Sequence, residues 1–209
     1  MKTVIFDFDG TLADSFSLTL EIAYELTEIP RLSDQEIARL RRLTLLKAVR
    51  ELHIPLRRLP RLLLHGSQKM HERIHEVHPF PGISELVSGL HNSGAYKLLV
   101  ISSNSEQNVR SFLRANNLED LFDGVHGGVG FFDKAAALRK VLRKNALKRD
   151  NCYYVGDEER DLIAAKRVGV RSVGVSWGYQ DALALAVHKP NALVRTPAEL
   201  LELFKTGKV

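Results

Sequence analysis

The chain has 209 residues, 44% hydrophobic and 26% charged, which is enough length and apolar content to bury a core and excludes disordered and fibrous classes. A single cysteine, Cys152, rules out an internal disulfide framework and fits a reducing compartment, and no apolar run approaches the roughly 20 residues needed to span a bilayer. The net charge of +5 comes from Lys and Arg interleaved with acids, and aromatic residues at 7% offer no base-stacking platform, which argues against nucleic acid as the main ligand and suits attraction of a small anion.

Thr3-Val4-Ile5-Phe6 has the alternation and β-branching of a buried strand, and the chain enters it without a signal segment, so a cytoplasmic protein is expected. The strand ends in Asp7-Phe8-Asp9-Gly10-Thr11-Leu12. Asp7 and Asp9 point the same way, and like charges so placed are costly unless a cation or a shared proton relieves them. Taken alone, the same residues also fit a solvated Asp-Gly turn.

After Asp14-Ser15 the pattern turns helical, with Leu18, Ile22, Ala23 and Leu26 on one face and Pro30 closing the helix. Ser33 and Glu36 form a capping box, from which Ile37, Leu40, Leu43, Leu46 and Val49 predict one continuous amphipathic helix. A third helix is expected from about Leu56 to Ile74. No strand pattern occurs between 15 and 79, so this region is expected to be an all-helical cap inserted into an α/β core made of residues 1–14 and 80–209. The insert carries Arg41-Arg42, Arg57-Arg58 and five histidines from His53 to His78. These are either solvated faces or, for one or two of them, groups that face Asp7 and grip the remote end of a substrate; the His spacings do not match a zinc motif.

Beyond Pro79-Phe80-Pro81-Gly82 helix and strand alternate: helix Ile83 to His91, strand Lys97 to Ile101, then Ser102-Ser103-Asn104-Ser105 before a helix from Glu106 to Ala115. Hydroxyl and amide groups at that junction suit an anion, although for the segment taken alone a simple helix cap at Ser103 or Ser105 is the better reading. Phe122 to His126 is expected to form a short strand, and Asp133 to cap a helix from Lys134 to Asn145. Lys134 in a first helical turn faces the wrong end of the helix dipole, which hints at an anionic partner, although an exposed surface lysine fits this segment equally well. Tyr153 to Gly156 is a further buried strand, ending in Asp157-Glu158-Glu159-Arg160-Asp161, oxygen donors of the kind that hold Mg²⁺. Strand Ser172 to Ser176, a Trp177-Gly178-Tyr179 loop, strand Ala192 to Val194 and helix Pro197 to Phe204 complete the pattern.

Taken together, Asp7-Phe8-Asp9-Gly10-Thr11-Leu12, Ser103-Asn104, Lys134, and Gly156-Asp157-Glu158 with Asp161 resemble the motifs of the haloacid dehalogenase-like phosphatase superfamily, over nearly the whole chain. Among its capped members the phosphoglycolate phosphatases come nearest. Many relatives have proline after the lysine, where this chain has Ala135. The resemblance implies a doubly wound parallel sheet with a helical cap inserted after the first strand. It implies Asp7 as nucleophile forming an aspartyl-phosphate, Asp9 as proton donor and then base, and Mg²⁺ held by Asp7, Asp9 and Asp157. It also implies Ser103, Asn104, Lys134, Gly10 and Thr11 around the substrate phosphate, with Asp161 and Glu158 in support. The substrate implied is a small phosphorylated metabolite. A sugar phosphomutase, which passes the phosphoryl group on, and a catalytically silent phosphate-binding regulator are the alternatives.

Overall fold

The computed structural model describes residues 1–130 and 133–207. Apolar, β-branched runs form six parallel strands: β1 (Lys2–Phe6), β2 (Tyr96–Ile101), β3 (Gly124–His126), β4 (Cys152–Gly156), β5 (Arg171–Val175) and β6 (Ala192–Val194). Their order is β3-β2-β1-β4-β5-β6, so β1 lies between β2 and β4, with Phe6 opposite Val100 on one side and Val155 on the other. This is the doubly wound arrangement, in which chain direction across the sheet reverses at β1 and a crevice opens at the carboxyl ends there. Asp7 and Asp157 leave the sheet at that crevice.

Strand alternation divides the core. Val4, Phe6, Leu98 and Val155 pack with α5 (Ile83–Asn92), α6 (Glu106–Ala115) and α10 (Pro197–Thr206), whereas Ile5, Leu99 and Tyr154 pack with α7 (Lys134–Lys144) and α8 (Glu159–Val168). A short helix, α9 (Ala182–Ala186), follows β5 and is capped by Asp181; its length left no periodic signal in the sequence.

Between β1 and α5 every described element is helical: α1 (Phe16–Thr27), α2 (Asp34–Leu40), α3 (Leu45–Glu51), α4 (Leu59–Arg73) and two single 3₁₀ turns. Leu18, Ile22, Met70 and Ile74 are continuous with the core. The chain leaves and re-enters the core at one place, where Ala13 and Pro79 form an isolated antiparallel bridge, Asp14 N–H donates to His78 O (2.9 Å) and Phe80 N–H to Leu12 O (3.2 Å).

The helices depart from expectation in three respects. The first ends at Glu28, in a left-handed conformation, before Pro30 is reached. The capping box at Ser33 forms, but the single helix expected from Ile37 to Val49 breaks, and Thr44 Oγ1 starts a second helix by accepting from Lys47 N–H (3.3 Å). Asp133 occupies the N-cap position of α7 without a capping bond from its side chain.

Candidate active site

Asp7 extends the β1 ladder by one bond, its N–H donating to Val155 O at 2.8 Å. The chain then folds over itself, with the N–H groups of Thr11, Leu12 and Ala13 all donating to Phe8 O and that of Gly10 to Ala13 O. Gly10 has φ +76°, and a Cβ there would stand 2.1 Å from Asp157 Oδ2, so both backbone and space require glycine. The turn sets Asp7 and Asp9 on different neighbours.

Asp7 is buried, and Lys134 Nζ donates to its Oδ2 at 2.5 Å while also donating to Asp161 Oδ1. Burial and Arg160 oppose the ammonium charge, but Asp161 and Asp7 outweigh them and the Lys134 pKa is raised. Asp161 is fixed from behind by Glu158 N–H (3.1 Å to Oδ2), and a Cβ on Gly156 would lie 2.5 Å from its Cβ, so glycine is the residue that admits it. One oxygen each of Asp7, Glu158 and Asp161 lies within 4.8 Å of the others.

Asp157 is also fully buried; its Oδ1 accepts from Thr11 Oγ1 (2.8 Å) and its Oδ2 from Tyr179 N–H (2.7 Å). Burial first, then Glu158, Asp7 and Asp161, push its carboxyl well above the usual range. That is the signature of acidic groups gathered without enough positive charge, which a hard divalent cation would relieve.

Asp9 turns the other way. Its Oδ1 accepts from Ser15 Oγ (2.8 Å) and its Oδ2 from Asn104 Nδ2 (3.1 Å). Burial pushes its carboxyl up to about 6, with Asp7 adding and the Ser15 and Asn104 bonds subtracting. Asn104 Oδ1 accepts from Asn108 Nδ2 (2.8 Å), and Asn108 Oδ1 meets Nδ1 of His71 on α4, so a hydrogen-bond chain runs from the helical insert to Asp9. Ser102 is buried and accepts from Asn104 N–H (2.9 Å), while half-buried Ser103 borders the open cavity.

The strand ends thus bring together Asp7, Lys134, Asp157, Glu158 and Asp161, with Asp9, Ser103 and Asn104 at the rim. The N–H groups of Gly10 and Thr11, the Thr11 hydroxyl and the Asn104 amide all have bonds within the protein. Ser15, Arg160 and Tyr179 were not anticipated. Arg160 binds Glu158 Oε2 through Nε (2.6 Å), and the Tyr179 hydroxyl meets Ser15 Oγ (3.0 Å) and Thr19 Oγ1 (2.7 Å). Among the described residues no Arg or His of the insert contacts Asp7. Above the rim a cavity of about 660 Å³ extends between α1, α2, α3 and α4.

Residues 4–175 match the haloacid dehalogenase-like hydrolase family. A phosphoglycolate phosphatase of Synechococcus elongatus is 33% identical over 205 residues, covering 97% of this chain and 96% of that protein. One of Vibrio parahaemolyticus is 25% identical, covering 97% and 96%. Among solved structures, a haloacid dehalogenase-like family hydrolase of Streptococcus pneumoniae superposes with a TM-score of 0.81 at 20% identity, covering 98% of both chains. A predicted phosphoglycolate phosphatase of Haemophilus somnus gives 0.76 at 22%, again covering 98% of both, and at such identities the likeness is one of fold.

Proposed function

The chain belongs to the haloacid dehalogenase-like hydrolase family and is a phosphatase, and from that premise we propose that it hydrolyses a small phosphomonoester through an aspartyl-phosphate on Asp7, with Mg²⁺ as cofactor. The observation that carries this reading is the pairing of a buried carboxylate held by Lys134 with a second carboxyl, Asp9, whose pKa is pushed up to about 6.

A carboxylate oxygen of Asp7 attacks phosphorus in line, and the ester P–O bond breaks. Asp9, protonated, gives its proton to the departing alkoxide; as carboxylate it then takes a proton from the water that attacks phosphorus, and the Asp7–phosphate bond breaks to release inorganic phosphate. A carboxyl with a pKa near 6 serves both steps at neutral pH. Lys134 offsets negative charge on Asp7 and on the phosphoryl oxygens, and Asp161 holds Lys134 in position. The Ser103 hydroxyl borders the cavity where phosphate oxygens would lie, with Asn104 on the same rim, and Gly10 and Thr11 are assigned to the phosphate as the loop that follows Asp7. The all-oxygen donor set and the raised Asp157 fit a divalent cation: Asp7, Asp157 and the Asp9 carbonyl would hold it, with Glu158 and Asp161 beside them. When bound, Mg²⁺ supplies positive charge that lowers repulsion between nucleophile and phosphate. The relatives' names put phosphoglycolate in the first substrate panel.

The test is phosphate release from a panel of phosphomonoesters with Mg²⁺, with and without chelator, beside Asp7→Asn. Release that needs both Asp7 and the metal is expected. No release above Asp7→Asn overturns the reading.

A further inference from the structure

The cavity above Asp9 sets a requirement on the leaving group. Its volume of about 660 Å³ lies in the range that encloses a drug-sized ligand, far more than a two-carbon acid fills. Its walls are Phe16, Leu20, Leu26, Ile37, Leu40 and Leu43. These are core-type side chains, yet α2 has no fully buried residue, so its apolar side is turned to the cavity rather than packed against another helix.

Positive charge is arranged differently from what a carboxylate-bearing substrate needs. The arginines that border the cavity are Arg41 and Arg160. Arg41 Nε donates to Tyr179 O (3.1 Å), its Nη2 donates to Gly178 O, and its guanidinium lies 5.8 Å from the Phe16 ring centre. Arg160 is paired with Glu158 at the rim. Elsewhere on the insert, Arg39 pairs with Glu51 and Arg42 with Asp181, while Arg57, Arg58 and Arg61 are exposed. The charged groups that line the cavity are thus Asp9, Glu158, Arg160 and Arg41, and the insert's share of the wall is mostly apolar, with Thr19, Thr27 and Ser67 as its uncharged polar members.

We propose that the substrate is the phosphate monoester of an apolar alcohol, an aryl or medium-length alkyl group, seated with its phosphate at Asp7 and its carbon skeleton against Phe16, Leu20, Ile37 and Leu40. For turnover this rests on the phosphatase reading above; for binding it does not. Straight-chain alkyl phosphates isolate the effect, because their leaving alcohols share nearly the same acidity and differ only in the apolar surface they bury. Each methylene that enters the cavity multiplies kcat/KM by about two- to fourfold, the range set by the transfer of one CH₂ group out of water.

The experiment measures kcat/KM for ethyl, butyl, hexyl and octyl phosphate, 1-naphthyl phosphate, glycerol phosphate and phosphoglycolate, and by calorimetry the Kd of Asp7→Asn for the alkyl series. The expected result is a rise from ethyl to hexyl in both series, with hexyl phosphate at least tenfold above phosphoglycolate in kcat/KM. A flat alkyl series with phosphoglycolate the best substrate overturns the proposal and leaves the phosphatase reading standing. No hydrolysis of any ester, with affinity of Asp7→Asn still rising along the series, overturns the phosphatase reading and supports the cavity assignment; flat affinity overturns the assignment. Leu40→Gln lies on a helix with no fully buried residue, so it tests the wall with little risk to folding. Its hexyl-to-ethyl ratio falls at least threefold, and an unchanged ratio counts against the proposal.

Discussion

Asp7 and Asp9 show how little separation is needed to give two nearby carboxyls opposite surroundings. Asp7 has an ammonium at 2.5 Å, whereas two residues on, Asp9 has only neutral donors, Ser15 and Asn104, and burial raises it to about 6. The proton on Asp9 matters when the leaving alcohol is a poor one. Asp9→Asn is therefore expected to cut kcat/KM for an alkyl phosphate by about 10²–10⁴-fold and that for 4-nitrophenyl phosphate, whose phenolate leaves unaided, far less. For wild type acting on the alkyl ester, the acid-dependent step is fastest below about pH 6 and declines above it, as Asp9 loses its proton. Single-turnover rates for the two esters across pH check both statements. That Asp7, Asp9 and Asp157 stand at strand ends and Lys134 in a first helical turn was legible, because apolar runs and helix starts are local patterns. Ser15 and Tyr179 were not: they meet each other across 164 positions, and neither type is unusual where it stands.

The break between α2 and α3 is the clearest place where an element escaped its own sequence. Leu40 and Leu43 keep helical phase, yet the helix stops because a distant loop takes its backbone groups. Asp181 N–H donates to Arg41 O (3.2 Å), Gln180 Nε2 donates to Leu43 O (2.9 Å), and Arg42 pairs with Asp181 (2.8 Å). Periodicity reports which side of a segment is apolar, but not which carbonyl a loop some 140 residues away will occupy. By contrast the capping box at Ser33 and helix Glu106–Ala115 were fully legible, since every interaction that bounds them is local. Gln180 also accepts from Glu159 N–H, so it joins α8 to the insert. Gln180→Ala leaves both backbone groups unpaired and should destabilise the protein by about 1–3 kcal/mol. It should also speed proteolytic cleavage between α2 and α3. Urea unfolding and timed digestion measure the two, and a variant as stable and as resistant as wild type would show that the loop does not hold the insert.

Across the molecule as a whole, several carboxyls are kept from water at one sheet edge. Burial raises Asp9, Asp161 and Asp157 above their ordinary values, against the opposing pull of Lys134 on Asp161. A carboxyl whose pKa is higher folded than unfolded makes the folded state bind more protons. Its contribution to stability is complete below the unfolded value and is lost as pH rises through the folded one. The metal-free protein should therefore lose Tm from about pH 4 to 7, and Mg²⁺, on the proposed assignment a ligand of the folded and deprotonated cluster, should restore more Tm at pH 8 than at pH 5. Thermal melts with Mg²⁺ or chelator test this; an equal gain at both pH values would contradict it. The parallel sheet was legible from alternating patterns and the helices between β1 and α5 from the lack of any strand pattern there, whereas the cavity was not, because it depends on which apolar faces fail to meet. The bridge at Ala13 and Pro79 has a consequence for how such a molecule can change over time. Since the insert starts and finishes at one point, the segments of it that do not pack on the core can lengthen or shrink without moving Asp7 relative to Lys134. New leaving groups become reachable by changing those segments, while the strand ends beneath stay as they are.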